Sequence, residues 1–175
     1  MADNTVGTIL FTEEQIRRRA AELGQQIAED YKGEPLYLIG TLRGAVVWMA
    51  DMMKAIPNDQ EIDFMMASSY GSGTTSSGVV KIKKDLEGDI YGKHVLIIED
   101  IVDTGTTLSH LKKYLADRNP KSIKICTLLD KPSRRTADIQ ADYIGFEIDN
   151  LFVVGYGLDY DQKYRNLPYI SFLEG

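Results

Sequence analysis

In VLIIEDIVDTGTTL, residues 95–108, three carboxylates and three threonines crowd around one glycine at the end of an aliphatic run. Carboxylates so close to a core are costly unless cations or hydroxyls meet them, so the cluster reads as a site rather than as packing. DTGTT falls where a strand gives way to a helix, so its backbone N–H groups and the positive end of the helix dipole converge. That spot suits a phosphate: Gly105 allows close approach, and Thr104, Thr106 and Thr107 supply hydroxyls beside Asp103. Glu99 and Asp100, just upstream, can accept hydrogen bonds from a pair of hydroxyls. A phosphorylated sugar fits both halves, its phosphate on the turn and its diol on the carboxylates. Taken singly, Asp103 could merely cap the helix, and Glu99 and Asp100 could be a solvated strand end. The whole cluster in this order favours the site. It is not a Walker loop, because neither GxxxxGKS nor GxxxxGKT is present.

The elements that must hold this cluster follow from periodicity. TEEQIRRRAAELGQQIAEDYKG is a helix, with Thr12 and Gln15 as a capping box, apolar residues at helical spacing from Ile16 to Tyr31, and Gly33 at its end. PLYLIGTL (35–42) is a short apolar strand and GAVVWMADMMKAI (44–56) a second helix, whose Met and Trp content reads as packing. EIDFMMASSY (61–70) is a strand, GSGTTSSG breaks every periodicity, and VVKIKKDL (79–86) alternates as a half-exposed strand does. HVLIIEDIV, TLSHLKKYLADR and SIKICTLLD then read as strand, helix, strand, and DYIGFEI and FVVGYGL as two further short strands. Near-continuous apolar strands alternating with helices imply an α/β fold with a mainly parallel sheet covered on both faces. Ligands of such sheets bind outside the carboxyl ends of the strands. TLRG, SSYGSGTTSSG, EDIVDTGTT and DKPSRR should therefore gather at one edge.

A chain of 175 residues fits one domain with a real core, and 43% hydrophobic with 26% charged residues suggests neither disorder nor a membrane class. No apolar run is long enough to span a bilayer, and MADNTVGTIL lacks the features of a secretory signal. The single Cys126, in an apolar stretch, is expected to be a buried inert thiol in a reducing, cytoplasmic setting. A net charge of −6 argues against a general nucleic-acid binder while leaving room for an anionic small ligand.

VLIIEDIVDTGTT resembles the signature with which type I phosphoribosyltransferases hold 5-phosphoribosyl 1-diphosphate: apolar strand, two acidic residues, two apolar residues, then Asp-Thr-Gly-x-Thr. TLRG resembles the family's diphosphate loop, SSYGSGTT its mobile lid and DKPSRR its base-reading lysine segment. FVVGYGLDYDQKYRNLPYI is similar to the purine hood and tail of its hypoxanthine-guanine branch, bacterial type. The resemblance spans about residues 35 to 170. It implies a mainly parallel twisted sheet flanked by helices in a single domain, 1–175, with a small hood formed roughly by 1–15 and 131–175. It also implies Mg²⁺-dependent purine salvage: transfer of the phosphoribosyl group to hypoxanthine or guanine, giving IMP or GMP and diphosphate.

By the same resemblance, Leu42, Arg43 and Gly44 meet the diphosphate, helped by Arg165, and Ser69 and Tyr70 open the lid. Glu99 and Asp100 take the ribose hydroxyls, and Asp103, Thr104, Gly105, Thr106 and Thr107 take the 5′-phosphate. Asp103 is also the implied general acid/base near the purine N7. Lys131 donates to the exocyclic oxygen at position 6, Phe152 stacks on the base and the backbone at Val153 reads its edge. Asp159, with Glu99 and Asp100, is the implied contact of Mg²⁺. Arg43 stands where lysine is commoner in the family, which puts diphosphate affinity at stake, and a cis peptide is implied between Leu42 and Arg43. His94, His110, Arg134 and Arg135 receive only solvated or helix-end roles.

The resemblance further implies a homodimer or homotetramer that binds neither nucleic acid nor membrane. Xanthine remains open as a base. A regulatory protein that senses the phosphoribosyl donor while binding RNA or DNA is the reading from another class. The acidic balance and the joint presence of Lys131, Phe152 and Arg165 stand against it.

Overall fold

The computed structural model describes residues 5–69 and 80–174. Tyr70 and the GSGTTSSG stretch assigned to a lid lie outside the described residues. Six strands form the large sheet in the order β4-β3-β2-β5-β6-β7, and three form a small one in the order β1-β9-β8. In the large sheet β2 (Leu36–Thr41), β3 (Gln60–Ser69), β5 (His94–Val102), β6 (Ser122–Asp130) and β7 (Tyr143–Glu147) run parallel. β4 (Val80–Lys84) closes one edge antiparallel to β3. Its sequence VKIKK alternates lysines along that edge, which discourages pairing with another sheet.

The parallel strands are apolar on both faces because both are covered. Leu36, Leu38, Leu96, Ile98, Cys126 and Leu128 pack with α1 (Glu13–Tyr31) and α2 (Val46–Ala55). Their alternates Tyr37, Ile39, Val95, Ile97 and Ile125 pack with Leu108, Leu111 and Leu115 of α3 (Thr106–Ala116). The capping box of α1 forms as expected: Gln15 N–H donates to Thr12 Oγ1 at 3.2 Å, and Thr12 N–H to Gln15 Oε1 at 2.8 Å. Gly24 brings α1 onto α2, since a side chain there would run into the backbone of Ala55. The apolar residues of α2 serve this core, with Trp48, Met49 and Met52 buried and Val46 left exposed. Cys126 is buried and unpaired, and burial pushes its thiol pKa up to about 12, so it is inert. Among the described residues no helix is long and apolar enough to cross a membrane.

The small sheet departs most from the sequence expectations. Thr5–Phe11 (β1) and Ile170–Glu174 (β9), neither expected as a strand, pair antiparallel, and β8 (Val153–Val154) adds to β9. The expected strand 152–158 contracts to two residues, because Gly155 and Gly157, both at φ 96°, turn the chain instead. Tyr143–Glu147, within the range 131–175 expected for the hood, belongs to the large sheet as β7. Its apolar alternation suits a place beside β6, where α1 can cover it.

Candidate functional site

All the parallel strands point their carboxyl ends one way, so Leu42–Gly44, Ser69, Asp100–Thr107 and Lys131 emerge at a single edge. A cavity of about 230 Å³ opens there, lined by Thr41, Leu42, Gly44, Ala67 and residues 99–108.

The buried run Val95–Ile98 of β5 delivers Glu99 and Asp100 to this cavity, half-buried. Thr41, the last residue of β2, donates its hydroxyl to Glu99 Oε1 at 2.6 Å. Ile101 N–H donates to Asp100 Oδ1 at 2.8 Å. Burial, and then the neighbouring Asp100 carboxylate, hold the Glu99 carboxyl well above the usual range. Burial raises Asp100 too, against the pull of its hydrogen bonds and of Arg165. Gly44 lies so close to Asp100 that any side chain at 44 would collide with the carboxylate. The Leu42–Arg43 peptide is cis, as implied.

Past Val102 the chain turns through Asp103 and Thr104, and Gly105 at φ 81° becomes the N-cap of α3 without supplying a side-chain cap. The first N–H groups of the helix therefore face the cavity beside the hydroxyls of Thr104, Thr106 and Thr107. Lys131 follows β6 directly and is 6% exposed, not solvated as its composition alone would suggest. Burial lowers its pKa, Asp103 opposes that shift and Arg134 adds to it.

The hood supplies the remaining residues. Phe152 is 55% exposed and meets Tyr160 edge-on, with ring centroids 5.6 Å apart, while Val153 is buried against β9. Asp159 pairs with Arg165 at 3.0 Å and accepts from Gln162 N–H at 2.8 Å. Arg165 also donates to Gly157 O at 2.7 Å. The tail and the diphosphate loop meet on one amide: Gln162 Oε1 accepts from Arg165 at 3.2 Å and from Arg43 at 3.3 Å.

The residues implied as contacts of Mg²⁺ lie in two places, and among the described residues no three carboxylate, imidazole or thiol groups come together. Asp159 is engaged by Arg165 in the hood, whereas Glu99 and Asp100 sit on β5. The adjacent β5 carboxylates are oxygen donors that fit a hard cation taking most of its oxygens from substrate and water.

Four residues here were not foreseen. Thr41 orients Glu99, and Gln162 joins the two arginines. Arg134 donates to Asp103 Oδ1 at 3.1 Å, and Arg135 donates to Asp103 O at 3.1 Å. Only the adjacency of both arginines to Lys131 hinted at this. His94, by contrast, lies at the opposite end of β5, between Ser122 and Glu34.

A phosphoribosyl transferase domain profile matches residues 8–161. A hypoxanthine-guanine phosphoribosyltransferase of Mycobacterium bovis is 52% identical over 175 residues, covering 97% of this chain and 87% of the relative. A hypoxanthine phosphoribosyltransferase of Escherichia coli is 54% identical over 165 residues, covering 93% of each chain. The crystal structure of a hypoxanthine phosphoribosyltransferase from Staphylococcus aureus superposes with a TM-score of 0.93 at 51% identity, over 97% of this chain and 92% of that one. With its cleft built on the same scaffold, the chain belongs to the phosphoribosyltransferase family, as an enzyme of the hypoxanthine-guanine branch.

Proposed function

We propose that the enzyme moves the 5-phosphoribosyl group of 5-phosphoribosyl 1-diphosphate onto a ring nitrogen of hypoxanthine or guanine, releasing diphosphate. The observation that carries this reading is the nearly buried Lys131, near enough to Asp103 to feel its charge and hydrogen-bonded through its backbone N–H to Val102 O, beside the cavity lined by Glu99, Asp100 and Asp103–Thr107. An ammonium group there donates to the oxygen of a 6-oxopurine and meets only another donor on adenine.

In this reading the 5′-phosphate settles on the N-terminus of α3, using backbone N–H groups that Gly105 leaves uncapped. The ribose diol donates to Glu99 and Asp100, which favours their ionised forms. The base slides over the exposed Phe152 ring, held edge-on by Tyr160, with its 6-oxo group toward Lys131. The bond from C1 to the diphosphate oxygen breaks as the bond from C1 to the base nitrogen forms, and Asp103 accepts the proton the base gives up. Arg43 and Arg165, already joined through Gln162, embrace the leaving diphosphate. Mg²⁺, taken up with the donor beside Glu99 and Asp100, would neutralise the charge of the departing group.

A spectrophotometric assay with 5-phosphoribosyl 1-diphosphate and Mg²⁺, run separately with hypoxanthine, guanine, xanthine and adenine, tests the reading. Turnover of 6-oxopurines without adenine is expected. Adenine turnover at a comparable rate would remove Lys131 as the reader of the base.

A further inference from the structure

The segment after β6 touches both halves of the cleft. Lys131 N–H donates to Val102 O at 2.9 Å, and Thr136 and Ala137 donate to Thr104 O at 3.0 and 3.1 Å. Between these bonds Arg135 uses all three guanidinium nitrogens. Nε donates to Asp103 O at 3.1 Å, Nη1 to Ile139 O at 2.7 Å, and Nη2 to the Asp130 carboxylate. Asp130 ends β6 and immediately precedes Lys131, while Asp103 opens the turn that leads into α3. The Arg135 and Asp130 side chains are both largely buried, and the Arg135 stem packs where a side chain on Gly105 would lie. A rigid planar fork bonded at both ends cannot follow a shift of one end without passing it to the other.

We infer that Arg135 is a positioning residue tying the Asp103–Thr107 seat to Lys131, so that a phosphate settling on the first orders the second. The inference rests on the phosphate seat and base reader of the proposed function. Its chemistry suggests the separating variant. Arg135→Lys keeps a cation for Asp130 but lacks the fork that reaches Asp103 O and Ile139 O together. Arg135→Gln would leave a nearly buried carboxylate unpaired and is expected to cost the fold itself.

The test uses ribose 5-phosphate as probe, with amide hydrogen exchange as readout. In the wild type it should slow exchange both in 103–109 and in 131–139. In Arg135→Lys, folded by circular dichroism, protection should stay within 103–109. The KM for hypoxanthine should also rise about tenfold while the KM of the donor holds, the effect of losing one charge-assisted hydrogen bond. Equal spread of protection in the variant, or an unchanged KM for hypoxanthine, would overturn the inference. Failure of ribose 5-phosphate to bind the wild type would overturn the seat and this inference together. Protection that spreads normally in a wild type inert toward all bases would sink only the proposed function.

Discussion

Glu99 holds a proton more readily than a free carboxylate because burial disfavours its charge and Asp100 stands beside it. A carboxyl whose folded pKa is raised binds more protons folded than unfolded, so stability declines as pH rises from the unfolded value of about 4.3 through the folded one. At neutral pH the ligand-free site is therefore strained. Glu99→Gln should raise the melting temperature by about 3 °C or more while impairing turnover, a trade of function for stability. Binding of the donor with Mg²⁺ should ionise the pair and release protons, more at pH 6 than at pH 8. Calorimetry in buffers of different ionisation enthalpy reads this directly, and identical heats in all buffers would contradict it. Asp103 has a different part in the proposed function, to take a proton rather than to hold charge. Asp103→Asn should lower kcat by about 10²- to 10³-fold with little change in the KM of the donor. Equal loss in both would make Asp103 a binding group, a use consistent with its bond from Arg134.

Two elements hold these side chains in register, and each has a point of failure. The start of α3 depends on Gly105 at φ 81°, a conformation that costs other residues about 1–2 kcal/mol. A methyl group there would also meet Ile139 and the Arg135 stem. Gly105→Ala should raise the KM of the donor by tenfold or more, about 1.4 kcal/mol, and a normal KM would place the phosphate elsewhere. The second point is Asp63 of β3, nearly buried, which accepts from Tyr37 Oη at 2.8 Å, Phe64 N–H at 2.7 Å and Glu87 N–H at 2.8 Å. It thereby pins the connection between β4 and β5. Burial alone would raise its pKa, but these donors outweigh burial and the net shift is downward. The sign is then opposite to that of Glu99: the stabilisation is complete above the unfolded value of about 3.9 and fades as pH falls through the folded one. Asp63→Asn should be less stable at pH 7 and should flatten the acid limb of a melting-temperature profile. A parallel profile would deny Asp63 this part. Neither dependence shows in residue order alone, although the DTGTT turn that uses Gly105 does.

Across the whole molecule, legibility follows sequence distance. The capping box of α1, the buried strands β2, β5 and β6, and the cluster 99–107 are local patterns, and each appears where periodicity or spacing placed it. The small sheet is not local. β1 and β9 find each other from opposite ends of the chain, and nothing in TVGTILF or ISFLE names its partner. Arg135 was opaque for the same reason: its acceptors Asp130, Asp103 and Ile139 belong to separate segments that only the fold assembles. This division has a functional side. In the proposed function the donor is held by the large sheet and α3, whereas Phe152 and Val153 depend on the small sheet, where Leu173 N–H donates to Phe152 O at 2.9 Å. β9 is the middle strand of three, so a proline at 173 removes a ladder donor and disturbs the pairing, at a cost of about 3 kcal/mol. Leu173→Pro should therefore loosen the base platform while sparing the donor seat. The KM for hypoxanthine is expected to rise by tenfold or more, an increment of about 1.4 kcal/mol, with ribose 5-phosphate affinity near that of the wild type. Parallel loss of both would mean that the small sheet supports the whole cleft and that the two sheets melt as one unit.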